Sequence, residues 1–142
     1  MNCQPGGDIG WDHVLAHRPT DIRAAVRDRF AECGITPDQV RAVLADGGDA
    51  LHAAAADSDP QWTKRFGGPL AVALLAAEVS SLAAHLNSRA SSVRAHAVEE
   101  LLDDFSAVTV AARLGVSRQK VYDISRGGVA GPFIDQVPWG YE

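Results

Sequence analysis

Residues Ala107 to Arg126 read AVTVAARLGVSRQKVYDISR, and the spacing inside this stretch decides how the rest of the chain is read. Val110, Ala111 and Leu114 stand at i, i+1 and i+4, which gives a first short helix one apolar face. Ala111 is small, so a second helix can cross it steeply without being pushed away. Gly115 follows the last periodic residue, where helices commonly end in the left-handed conformation that glycine adopts without strain. Val116 plugs the turn, and Ser117 is placed to cap a second helix by accepting from one of its unpaired backbone N–H groups. Val121 and Ile124 then face inward, which turns Arg118, Gln119, Lys120, Tyr122, Ser125 and Arg126 outward.

The small Ala111, the turn Gly115 and the apolar Val110, Leu114, Val116, Val121 and Ile124 sit at the offsets of a known pattern. The stretch resembles the helix-turn-helix of bacterial and phage regulators, over about 20 residues, or about 35 with the preceding helix. The resemblance implies a sequence-specific DNA-binding transcriptional regulator whose second helix, Arg118 to Arg126, enters the major groove of double-stranded DNA. It also implies that Arg118, Gln119 and Tyr122 approach base edges. Arginine matches guanine N7 and O6, glutamine matches adenine N6 and N7, and a tyrosine ring meets a thymine methyl or bonds a phosphate. Lys120, Arg126 and Arg113 are then phosphate contacts that set position rather than sequence. Ser106 and Ser117 complete the candidate DNA-binding set as caps of the two helices, the N-terminus at Ser106 being suited to receive a phosphate. Three-helix units of this kind also serve as protein contacts, so the alternative is an adaptor that binds a partner protein.

Immediately upstream, Val98, Leu101, Leu102 and Phe105 offer a face on which the two short helices can pack, making a tri-helical module over residues 89–126. Asn87 to Ser92, NSRASS, interrupts the apolarity: either one helix continues through it, or Ser91 or Ser92 caps a new helix running to about Asp104. Before it, Val72, Leu75, Val79, Leu82 and Leu86 alternate three and four apart, the pattern of a helix-pairing seam or of a central bundle helix. Residues 1–88 therefore read as an N-terminal helical region for dimerisation or partner binding. A homodimer formed there would set two recognition helices roughly 34 Å apart, to read a palindrome.

Residues 1–10 hold Pro5, Gly6 and Gly7 and are expected to be a loose arm. Thr20 reads as the cap of a helix to about Cys33, with Ile22, Val26 and Phe30 on one face. Thr36, Pro37 and Gln39 form a capping-box start for a helix presenting Val40, Val43 and Leu44 and stopping at Gly47-Gly48. An alanine-rich helix from about Asp49 to Ala56 follows, then the start signal Asp59-Pro60, with Trp62 and Phe66 as core anchors. Gly67-Gly68-Pro69 breaks the chain before the longest apolar helix. The whole is all-α: an N-terminal helical bundle, a tri-helical module and an irregular tail.

The tail, residues 127–142, mixes glycine, proline and aromatics without periodicity. Phe133, Ile134, Val137 and Trp139 suit it to fold back on the body or to dock in a protein partner.

Composition narrows the function. The 142 residues are 46% apolar and 22% charged, ordinary for a globular chain, and the net charge of −5 is the wrong sign for coating nucleic acid indiscriminately. Between Ser106 and Arg126, however, Arg113, Arg118, Lys120 and Arg126 face only Asp123, a small basic island on an acidic chain. Cys3 and Cys33 are too few for a disulfide framework and read as thiols of a reducing cytoplasm. The first residues lack the pattern of a signal peptide, and Leu70 to Leu86 reads as too short and too polar to span a bilayer. His13 and His17, at i and i+4, lack a third metal ligand in register, so no metal or cofactor is expected. Glu99, Glu100, Asp103 and Asp104 read as an exposed acidic face, and no catalytic constellation is present in the motifs, so no enzyme is expected.

Overall fold

A computed structural model describes the backbone of residues 5–127 and the side chains from Gly10 onward. Among the described residues the chain is all-helical. The α-helices are α1 (Pro5–Val14), α2 (Thr20–Glu32), α3 (Pro37–Ala45), α4 (Asp49–Ala55), α5 (Pro69–Asp104), α6 (Ala107–Leu114) and α7 (Arg118–Gly127). A 3-10 turn, Lys64–Phe66, precedes α5. The arm expected over residues 1–10 is helical from Pro5. Expectations for Cys3 and for the tail beyond Gly127 fall outside the described residues. Two compact units divide within α5, between Ala83 and Ala84.

In the first unit, α3 starts as its sequence requires. The Thr36 hydroxyl accepts from Gln39 N at 3.2 Å while Thr36 N donates to the Gln39 side chain at 2.8 Å. Val40, Val43 and Leu44 are buried, joined in the core by Leu15, Val26 and Phe30, and Trp11 stacks on Phe30 with ring centroids 5.8 Å apart. Gly10 permits the close approach of α1 to α3, since a Cβ there would lie 3.3 Å from Pro37 Cβ. Thr20 does not cap α2: Pro19, in extended backbone, holds that position, and no side chain closes the helix start. Ile22 is exposed, so the buried face of α2 narrows to Val26 and Phe30. The Asp59-Pro60 signal gives a turn in which Asp59 accepts from Gln61 N, and Trp62 and Phe66 are only half-buried.

α5 runs unbroken through NSRASS, which settles the sequence alternatives in favour of one continuous helix. Its 36 residues make it long and apolar enough to cross a membrane, correcting the expectation that the apolar run is too short; core helices of globular proteins pass the same test. The inward positions in the first unit are Ala71, Leu75, Glu78 and Leu82, so the expected seam is rotated by one residue and Val72, Val79 and Leu86 are half-buried.

Glu78 is the unexpected member of that face. Its side chain is 2% exposed, and it accepts from His17 Nε2 and, through both oxygens, from Arg18 at 2.9 Å. Burial pushes its carboxyl up, but the hydrogen bonds from His17 and Arg18 outweigh that and hold it below the ordinary glutamate value. The hydrogen bond to Glu78 likewise raises Arg18 against the opposing effect of burial. Arg23 of α2 fixes the same corner, donating to the carbonyls of Arg18 and Ala16 at 3.0 and 3.2 Å. His17 Nδ1 is buried without a hydrogen-bond partner.

In the second unit Val98 of α5 packs with Ala107, Val110, Ala111, Val121 and Ile124, and Leu102 and Val116 close the edge of this cluster. Leu101, Phe105 and Leu114, expected inside, are exposed. The inward stripe of α5 runs Ser92, Ala95, Val98, Leu102, which carries Leu101 and Phe105 round to a neighbouring face. Leu114 stands in the last turn of α6, where Val116, whose N–H bonds back to Ala111 O at 3.1 Å, fills the edge of the core instead.

Candidate functional site

Local chemistry positions α6 and α7. Ser106 Oγ accepts from Thr109 N at 3.1 Å and starts α6. Gly115, at φ 72° and ψ 35°, ends it in the left-handed region, its N–H bonding to Ala111 O at 2.9 Å. Ser117 Oγ then accepts from Lys120 N at 3.1 Å and starts α7. Buried Ala111 leaves the room at the α6–α7 contact that the sequence calls for.

Once Val121 and Ile124 are buried, the first turns of α7 have no choice about what they present. Arg118, Gln119, Lys120, Tyr122 and Arg126 are all exposed, as are Arg113 and Ser117 at the preceding turn and Ser106 at the start of α6. The structure thus brings every candidate residue onto α6, α7 and the turn between them. It also divides them. Arg126 Nη2 donates to Asp123 Oδ1 at 2.7 Å and Gln119 Nε2 donates to the same oxygen at 3.2 Å, whereas Arg113, Arg118 and Lys120 have no acidic partner among the described residues. Asp123, the acidic residue that the sequence sets against the basic island, is the centre of a small surface network, and its spacings of four to Gln119 and three to Arg126 are the signal for it.

A second feature lies on the same unit. Leu101, Phe105, Val108 and Leu114 are exposed, and a pocket of about 90 Å³ is lined by Leu101, Phe105, Thr109, Val110 and Arg113. Nothing in the sequence pattern singles out Val108. It becomes visible only when the buried stripe of α6 is known to be Ala107, Val110 and Ala111.

No three His, Cys, Asp or Glu side chains among the described residues converge on a point where they could hold a metal ion. His13 and His17 do not share a helix face, because α1 ends at Val14 and His17 turns to Glu78.

Compared with known protein families, with curated proteins and with solved structures, the chain matches none.

Proposed function

We propose that α6 and α7, backed by the C-terminal turns of α5, form a helix-turn-helix that binds double-stranded DNA, and that the protein is a sequence-specific transcriptional regulator. The observation that carries this reading is the pairing of two capped short helices across a left-handed Gly115 with a row of exposed polar and basic side chains on the second. α7 enters the major groove. Arg118 and Tyr122 meet base edges, and Gln119 does so with one amide hydrogen held by Asp123, which fixes the orientation of its remaining donor and acceptor. Lys120 and Arg113 contact phosphates, and the helix start at Ser106 receives another. The acidic chain makes non-specific affinity low, so occupancy depends on a homodimer spanning two half-sites.

The test is fluorescence anisotropy of the full chain against a pool of genomic fragments at two salt concentrations, with an Arg118→Ala/Gln119→Ala variant alongside. Selective binding that the variant loses by about 1 to 3 kcal/mol or more supports the reading. Binding by neither protein to any fragment refutes it.

One observation favours a second reading. The exposed Leu101 and Phe105 line a small pocket with Val110, the kind of feature a protein partner covers, and the same module would then act as an adaptor. Phe105→Ser separates the two: it leaves DNA binding intact under the first reading and abolishes function under the second.

A further inference from the structure

The NSRASS segment, a mere interruption in the sequence pattern, acquires a setting in the second unit. Ser88, Ser91 and Ser92 together with Arg94 line one side of a pocket of about 160 Å³, and Lys120 and Asp123 of α7 line the other. The volume is under the roughly 300 Å³ at which drug-sized ligand sites begin. Its chemistry is that of an anion receptor. Serine hydroxyls donate without adding charge, and Arg94 and Lys120, from different helices, both line the pocket with no ion pair to either among the described residues. The carboxylate present, Asp123, is already bonded through Oδ1 to Arg126 and Gln119, so its charge is compensated locally.

We propose that this pocket is an oxyanion site that takes a phosphoryl group, held by the Lys120 ammonium, the Arg94 guanidinium and the hydroxyls of Ser88 and Ser91. A tetrahedral anion held between these side chains gains charge-assisted hydrogen bonds from both cations. The phosphoryl group can belong to a nucleic-acid backbone or to a free phosphate. The inference does not rest on the DNA reading, since the pocket and its donors exist whatever α7 contacts.

The experiment is a nitrogen-15 NMR titration of the full chain with inorganic phosphate at constant ionic strength, with chloride as the reference anion. The expected result is saturable shifts at residues 88–94 and 120–127 that chloride does not produce, weakened about tenfold in Lys120→Gln and in Ser88→Ala/Ser91→Ala. Serine to alanine within a helix raises its propensity, so the double variant folds and its loss of binding is interpretable. Linear drift shared with chloride and unchanged in both variants overturns the proposal. A short duplex added afterwards assigns the source: competition with phosphate identifies a backbone phosphodiester, and independent binding identifies a free phosphoryl ligand. A duplex that never binds removes the DNA reading and leaves the phosphate titration as it was.

Discussion

Glu78 and Asp123 are each clasped by a cation and a neutral or titratable hydrogen-bond donor, yet they sit in opposite environments. Glu78, between Arg18 and His17, has a side chain 2% exposed; Asp123, between Arg126 and Gln119, is 51% exposed. The difference teaches what a carboxylate is worth. In water the attraction of an ion pair is offset by hydration and screened by salt, so the Asp123 network contributes little to stability and stays available for exchange with another ligand. Inside the first unit the Glu78 carboxylate and the His17 ring are shut off from solvent while Arg18 is 23% exposed, so the carboxylate depends on its two protein partners far more than Asp123 does.

Breaking the buried group should have the largest effect. Glu78→Ala leaves the Arg18 guanidinium and His17 without their acceptor, and a cost of about 3 to 5 kcal/mol is expected, read as a lowered denaturant midpoint. Acid should act in the same direction. The carboxyl of Glu78 titrates below its ordinary value of 4.5 in the folded chain, so its stabilisation is present in full above that pH and is lost as pH falls through the folded value. Unfolding midpoints measured from pH 6 down to pH 3 should therefore fall more steeply for the wild type than for Glu78→Gln, which lacks the titrating group. Equal slopes would show that the clasp is not what holds the proton off.

The helix caps come next. Ser106→Ala and Ser117→Ala each remove one hydroxyl acceptor from a helix start, and each should cost about 1 kcal/mol. The second unit is small and its buried side chains are mostly Val and Ala, so this is a sizeable share of its stability. Thr20→Ala is the matched control: Thr20 forms no cap, and its loss should leave the midpoint within about 0.5 kcal/mol.

These caps also mark what the sequence made legible. Thr36–Gln39, Ser106 and Ser117 act over three residues, and Gly115 acts on its own φ, so their outcome is written locally. The Glu78 clasp joins residues 60 and 61 apart, and nothing near Glu78 in the chain announces it; in the sequence it reads as a polar blemish on an apolar run. The rotated seam of α5 follows from the same cause, because which of several apolar stripes turns inward is decided by the partners it meets. Periodicity alone puts Leu101, Phe105 and Leu114 in the core, but a module built on two short helices has too little inner surface to take every apolar residue at a permitted spacing. The candidate residues of α7 were legible because burying Val121 and Ile124 fixes the direction of all the others; the partnership of Asp123 was legible in spacing, but its role as a clasp was not.

The smallest expected change in stability tests the surface side of the comparison. Asp123→Asn keeps the shape of the side chain and removes its charge, and an exposed pair of this kind should cost between about 0 and 1 kcal/mol. Its effect on ligands should exceed its effect on folding. Losing the carboxylate releases Arg126, so under the proposed DNA reading duplex affinity should rise and the salt dependence should steepen by about one counterion. Gln119 would lose the acceptor that orients it, and the gain should fall mainly on non-specific sequences. An Asp123→Asn protein that discriminates among fragments as sharply as the wild type would mean that the clasp does not orient Gln119, and would leave Arg118 as the principal reader of sequence on α7.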